Sequence, residues 1–546
     1  MNVFGESLPK NSVRETLPPD IHPVAILQGS NYEMGFQYGK FAGHMVERRR
    51  DKVLAGLQQK MELEEIKKGT KAIQYYIKKY APECIDQIKG IADGATAAGY
   101  NVSYENVLLL NNRLPNPKDT IFPVDAENEV IASKGCSVFS AWGKATKNGQ
   151  LIGMDTHDIG DALYQLIVVA YPEDGNNYIC GSTAGEVGNH FLMNNKGLFI
   201  GNSGGGGSPR TVDTGYGISW SCSLPHIARY ANTAEEAKDL IMKMKIDIPE
   251  NFHFVDVNHN AYVIEKTSAI QSVRIPGDFG ERDFLFSTNN YLNEDMRVTK
   301  KGDFYGNHGG YGGATAQPRN QLLWDMLNNY HGEITSDFAK MVTRFPGVGP
   351  PYPPEVGWGT KILRPSNSRV AVVLPDMGDN GLAYICTGPA GKVIPATVDA
   401  RGGLPINPYI DSTNTFFKLR LASSPQKVAE KAKVDAKADM GAAYSEFMYL
   451  DYSIPGYAHL KELYSLSTKE YYLGCSCLHK AILTEGRESL MFYSEAATMF
   501  TRSQSHAQQV FEALHPPATS PTDLNLRPFG ASGYNWETKH SLVKIK

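Results

Sequence analysis

Apolar and polar residues alternate through the middle of this chain, whereas both ends carry the three-to-four spacing of amphipathic helices. Residues 1–23 are polar and contain proline, which predicts a loosely held N-terminal arm. From Tyr32 to about Gly69, Met34, Phe36, Tyr38, Phe41 and Met45 lead into MVERRRDKVLAGLQQKMELEEIKK, a helical pattern. TKAIQYYIKKY and PECIDQIKGIADGATAAG follow as a second helical pair, with Pro82 in the first turn of the latter. Residues 24–135 therefore read as a helical segment. The period changes at Cys136. CSVFSAWGKATKNGQLIGMD predicts a strand, an Asn148–Gly149 turn and a second strand. ALYQLIVVAYP, NYICGST, NHFLMNNKGLFIGNS, FHFVDVNHNAYVIEK, DFLFSTNN, SRVAVVLP and GLAYICTG continue the series. Between them lie the helical TAEEAKDLIMKMK, with Thr233 as N-cap, and QPRNQLLWDMLNNYHG. After about Gly402 the pattern is helical again and ends in a Pro-rich tail, so 136–402 reads as an α+β core and 403–546 as a helical C-terminal extension.

Composition changes this picture little. Hydrophobic residues make up 42% and charged residues 21%, ordinary for a globular chain of 546 residues. The net charge of −4 gives no electrostatic reason to expect nucleic acid as a partner. No run approaches the apolar length of a membrane span, and MNVFGESLPKNSVRETLPPD has no signal-peptide pattern, so the expected location is cytoplasmic. The seven cysteines do not form a disulfide framework. Cys475 and Cys477 have only His479 nearby, and the fourteen histidines show no HExxH spacing, so neither a metal nor another cofactor is expected. Gly204–Gly207 lacks a following Gly-Lys-Ser/Thr and reads as a loop. FPGVGPPYPPEVGWG, from Phe345, reads either as a substrate wall or as an ordered surface loop.

One cysteine stands apart. A thiol cleaves amides when a base and an oxyanion site lie beside it. The α-amino group of the cysteine itself can be that base, because its ordinary pKa lies near working pH. That group exists only after the bond before the cysteine has broken. Gly135–Cys136–Ser137 suits such self-cleavage, since glycine tolerates the backbone angles of the attack, and it lies where helix gives way to strand. A second triplet, Gly474–Cys475–Ser476, sits in the helical YYLGCSCLHKAIL and reads as structural. Cys222, in SWSCSLP, lacks the preceding glycine.

The segments GSNYEMGFQYGKF, KGCSVF, NGQLIGMD, MNNKGLFIGNS, ANTAEEAKDLI, NFHFVDVNHNAYVIEKT, STNN and QPRNQLL occur in that order over roughly residues 24–400. In this order and spacing the chain resembles the isopenicillin-N acyltransferase-like family of linear-amide C–N hydrolases, in the N-terminal-nucleophile superfamily. It is more distantly similar to the bile-salt hydrolase and penicillin-V acylase group. The resemblance implies Cys136 as nucleophile, with its freed amine as base. It implies a carboxylate at GMDTHD that contacts this amine; Asp155 and Asp158 both compete for the role, His157 stands between them, and Asp158 is slightly preferred. Met154 occupies the place where some relatives carry arginine. Asn289 would donate to the oxyanion, Asn202 would be a second donor, and Arg319 would hold the charges of the site. Glu265 reads as a structural pairing residue.

The expected fold is therefore an α+β, four-layer αββα N-terminal-nucleophile hydrolase sandwich with a helical extension. Cleavage between Gly135 and Cys136 would leave two associated chains, and a homo-oligomer is compatible with the sequence. The expected partner is a small-molecule or peptide amide, hydrolysed or acyl-transferred through a thioester. Two other readings stand beside this one: a phospholipase-B-like lipid amidase or esterase, and a non-catalytic binding protein on the same scaffold. A papain-like protease fits less well, because no histidine pattern marks a separate base.

Overall fold

A computed structural model describes residues 21–526 except 60, 113, 115–134, 160–161, 206–207, 210–215, 297–303, 306–312, 346–361, 365–366, 379, 392–414 and 455. The described part of the N-terminal half runs β1 (Val24–Gly29), α1 (Asn31–Gln58), α2 (Leu63–Tyr80), α3 (Glu83–Ala97) and α4 (Tyr104–Leu110). The strands β2 (Ser137–Gly143), β3 (Gly149–Asp158), β4 (Gln165–Pro172), β5 (Tyr178–Thr183), β6 (Asn189–Asn194), β7 (Leu198–Gly204) and the short β8 (Ser208–Pro209) follow. Next come α5 (Trp220–Tyr230), α6 (Ala234–Lys243), β9 (Glu250–Asp256), β10 (Ala261–Lys266), β11 (Gln271–Arg274), β12 (Phe284–Ser287) and β13 (Phe304–Tyr305). Then follow α7 (Gly313–Asn329), α8 (Ser336–Thr343), β14 (Asn367–Leu374), β15 (Leu382–Thr387) and β16 (Phe417–Arg420). Three long helices close the described chain: α9 (Pro425–Phe447), α10 (Tyr457–Leu483) and α11 (Gly486–Leu514).

Two sheets form the centre. One has the order β1-β4-β5-β6-β7-β9-β10-β11 and the other β12-β2-β3-β14-β15-β16. Only β1 and β4 pair in parallel; the remaining neighbours are antiparallel. Strand alternation builds four layers from this pair. On β4, Leu166, Val168 and Ala170 face the helices α1 to α6, while Ile167, Val169 and Tyr171 face the second sheet. On β2, Val138 faces the first sheet, while Phe139 and Ala141 meet α7 and α8 through Leu323, Met326 and Phe338. The architecture is thus a four-layer αββα sandwich. Its helices α9 to α11 lie along the side where edge strands β1 and β16 meet solvent in a bare sandwich. The Ile26 and Val24 amides donate to the hydroxyls of Ser494 and Thr498 on α11 at 2.8 and 2.9 Å. Lys418 and Arg420 of β16 pair with Asp439 and Asp435 of α9 at 2.7 and 3.0 Å. These contacts cover the strand edges, which otherwise invite aggregation.

The N-terminal half differs from the sequence reading in three places. Val24–Gly29 is a strand, with its Ala25 and Leu27 turned towards the helices and Val24 and Ile26 towards the second sheet. The expected helix from Tyr32 to about Gly69 is two helices, because Glu62 and Glu65 form a reciprocal cap that starts α2 after Gln58. Pro82 stands immediately before α3, not inside it. The Thr233 cap is present, accepting from the Glu236 amide at 3.2 Å. The Phe345 loop segment lies outside the described residues from 346 onward, as does 206–207 of the glycine run. Among the described residues no helix is long and apolar enough to cross a membrane, and no group of three or more His, Cys, Asp or Glu could hold a metal ion.

Candidate active site

Cys136 immediately precedes β2, which is flanked by β12 and β3. Continuing the β12–β2 register, in which Ser287 faces Val138, puts Asn289 level with Cys136. Continuing the β2–β3 register, in which Ser137 faces Thr156, puts His157 level with Cys136 on the other side. Antiparallel pairing therefore gathers residues from three distant stretches of chain into one row. Ser137 is pinned in this row, its N–H donating to Thr156 Oγ1 at 2.9 Å.

A buried guanidinium joins the members of the row. Arg319, on α7, donates from one nitrogen to the Cys136 carbonyl at 2.5 Å and to Ser137 Oγ at 2.8 Å. Its other terminal nitrogen donates to Asn289 Oδ1 at 2.9 Å. This bond fixes the Asn289 amide so that its NH₂ is the group left to donate, and that NH₂ reaches the Gly204 carbonyl at 3.3 Å. Burial lowers the Arg319 pKa to about 9, against the opposing pull of Asp158 and Cys136. Arg364 is buried as well, its pKa likewise lowered by burial. A Cβ at position 135 would strike the Arg364 guanidinium and crowd that of Arg319, so only glycine lets both cations lie against the 135–136 peptide.

The two aspartates of GMDTHD fall on opposite faces. Val138 and Phe199 pack between the sheets, and the Asp155 carboxylate lies in that layer. It accepts from the backbone N–H of Asn202 at 3.3 Å and that of Phe191 at 3.4 Å. Cys136 shares this face by the parity of β2. Asp158 shares the helix-side face of Met154, where it bonds Asn367 Nδ2 and lies 4.0 Å from Arg364. Burial raises the Asp158 pKa to about 7, although Arg364, Arg319 and Asn367 pull it down. The Cys136 thiol is pushed well above its ordinary value, first by burial and then by the Asp158 charge. Asn202 points its amide NH₂ at Glu250 Oε2, 3.2 Å away.

The structure thus brings Cys136, Arg319 and Asn289 into one hydrogen-bonded chain, with Asp155 in the inter-sheet layer, the Asn202 side chain turned with Ile200 and Phe252 towards the helix layer, and Asp158 4.0 Å from the Arg364 guanidinium that lies against Gly135. Glu265 accepts from the Leu292 and Asn293 amides at 2.7 and 3.0 Å and lies 3.7 Å from Arg274, a structural arrangement. Cys475 packs at the edge of the inter-sheet core from α10, and Cys222 is buried in α5. Sequence reasoning missed His190. Its Nδ1 lies 3.1 Å from Asp155 Oδ1, and its ring lies 3.8 Å from that of His157. Backbone geometry puts it there: His190 and Phe191 have φ of 39° and 24°, so two consecutive residues of β6 both reach Asp155. It also missed Arg364, which no local motif marks.

No protein-family model matches the sequence. Over 247 residues the chain is 29% identical to an uncharacterized protein of Archaeoglobus fulgidus, a stretch covering 41% of this chain and 39% of that relative. Among solved structures it is similar to the Caenorhabditis elegans ortholog of N-acylethanolamine-hydrolyzing acid amidase, with a TM-score of 0.29 and 14% identity over 44% of this chain and 93% of that one. A variant of conjugated bile acid hydrolase from Clostridium perfringens gives 0.31 and 13% over 53% and 98%. Penicillin V acylase from Agrobacterium tumefaciens gives 0.28 and 14% over 46% and 83%.

Proposed function

We propose that the protein is a self-processing cysteine amide hydrolase or acyltransferase in which Cys136, freed at its own nitrogen by cleavage after Gly135, attacks a linear amide. The thiolate adds to the amide carbonyl, the amine leaves, and a thioester on Cys136 remains. Water or a second amine then takes the acyl group. The observation that carries this reading is the hydrogen-bonded chain from the Cys136 carbonyl through Arg319 to Asn289. It ties the nucleophile to an amide donor of the kind an oxyanion needs. Asn289 is the proposed donor; Asn202 is the second candidate through its backbone N–H alone, because its side chain turns with Ile200 and Phe252 to the helix layer and bonds Glu250.

For the carboxylate that contacts the freed amine, Asp158 and Asp155 both stand, with Asp158 slightly preferred, because its charge acts on Cys136 more strongly than that of Asp155. The Asp155 carboxylate lies in the inter-sheet layer, whereas the Asp158 backbone N–H reaches the Cys136 thiol and its carboxylate lies against Asn367 and Arg364. Gly135 with its two flanking guanidiniums suits the first event, the break of the 135–136 bond, because positive charge there stabilises an oxyanion on the glycine carbonyl. The test is an acid-quenched mass measurement during turnover of N-acyl amino acids, peptides and β-lactams. A substrate should leave its acyl mass on the fragment that starts at Cys136, and Cys136→Ala should leave none. Turnover that persists in Cys136→Ala would remove the proposal.

A further inference from the structure

The proposed base, the amine of Cys136, does not exist while the chain is whole, yet the thiol of the whole chain must lose its proton to make the first cut. Burial and the Asp158 charge both oppose that loss. Something else has to accept the proton. The inter-sheet layer contains such a group. Continuing the β2–β3 register by one residue puts His157 level with Cys136, and strand parity gives both the face of Val138. Side chains in that relation have Cβ atoms about 4.5–5.5 Å apart, within reach of an imidazole nitrogen and a thiol. The His157 ring lies 3.8 Å from that of His190, tilted by 30° to it, and His190 in turn bonds the Asp155 carboxylate at 3.1 Å. His157 and His190 are 1% and 3% exposed, so bulk water does not compete for their place. The backbone of His190 is held at φ 39°, a strained conformation of the kind that persists where a function needs it. Arg369, on β14, pairs with His157 from the far side, so the row across the sheet reads Asn289, Cys136, His157, Arg369.

Resting on the self-processing reading above, we propose that His157, oriented by His190 and Asp155, is the base of the first cut only, and that the freed amine replaces it afterwards. An imidazole nitrogen of His157 takes the thiol proton, and the sulfur forms a bond to the Gly135 carbonyl carbon. The bond from that carbon to the Cys136 nitrogen breaks, and the nitrogen takes the proton back from His157. Water then hydrolyses the thioester, giving the Gly135 carboxylate, the thiol and the free amine.

The test uses the full chain made by cell-free translation, following the two product bands with time. A general base contributes roughly 10²–10⁴ in rate. His157→Gln and His157→Asn should slow the cut by at least about 10², and His190→Gln by a smaller factor because the base itself remains. Per molecule already cut, both His157 variants should hydrolyse substrate within about threefold of wild type. Cutting at the wild-type rate in either His157 variant overturns the inference. So does a parallel loss of cutting and of turnover per cut molecule, which marks a structural role. A wild-type chain that never cuts removes the self-processing reading itself, and this inference with it.

Discussion

At the scale of single residues, two side chains of the proposed site have distinct signatures. Asn289 is aligned by Arg319, and in the proposed reaction its NH₂ would donate to the developing oxyanion. Asn289→Ala should lower kcat by about 10²–10³ with little change in KM, since the lost bond matters in the transition state; steady-state kinetics on the best substrate of the panel checks it. Asp158 carries a pKa of about 7 because burial disfavours its charge more than Arg364, Arg319 and Asn367 favour it. A carboxyl whose folded pKa lies above its unfolded value holds its proton longer in the folded state. Its contribution is therefore full below about pH 4 and is lost as pH rises towards 7. Asp158→Asn should flatten the fall of melting temperature across that window, and an unchanged slope would contradict the assignment. The parity of β3 that separates Asp155 from Asp158 is readable from the letters alone once the strand is known. His190 was not readable, because its approach to Asp155 depends on two positive φ values in β6 that no residue type there announces.

At the scale of elements, the strands with clear alternation were legible: β2, β3, β4, β9, β10 and β14 stand where their patterns predicted. What escaped was short or cooperative. VAILQG is a run of six residues at the margin of a helical region, and its strand identity comes from pairing with β4, more than 130 positions away. The break between α1 and α2 hides in a Glu-rich stretch that favours helix throughout, until Glu62 caps the next one. The glycines of α1 and α3 also carried meaning that periodicity does not report. A Cβ on Gly35 or Gly39 would strike the backbone of Gln87 or Ile91, and one on Gly90 or Gly94 would strike that of Tyr32 or Phe36. The two helices therefore touch backbone to backbone. Gly39→Ala should destabilise the fold by about 1–3 kcal/mol or more, because neither backbone can yield without disturbing the packed helix layer. Denaturant unfolding measures it, and an unchanged midpoint would contradict the backbone-to-backbone contact of the two helices.

At the scale of the whole molecule, the cut proposed between residues 135 and 136 would pass through one continuous core. Met34, Tyr38, Ile88 and Ile91 on one side of it share a cluster with Leu166, Leu192, Phe252 and Ile264 on the other. Arg49 pairs with Glu186 and His226 with Glu83 across the same divide. The pieces should consequently co-elute as one particle in buffer and separate only on denaturation, and two peaks by native size exclusion would contradict this. The helices α9 to α11 were legible as helices, but their place against β1 and β16 was not, because it depends on hydrogen bonds such as Ser494 to Ile26 that join the two ends of the chain. The central claim concerns one sulfur and one nitrogen of the same residue, so sequencing the N-termini of catalytically active material tests it most directly. The account predicts a second N-terminus reading Cys-Ser-Val-Phe from Cys136, absent from an inactive, single-chain Cys136→Ala. Active protein whose Gly135–Cys136 bond is intact would contradict it.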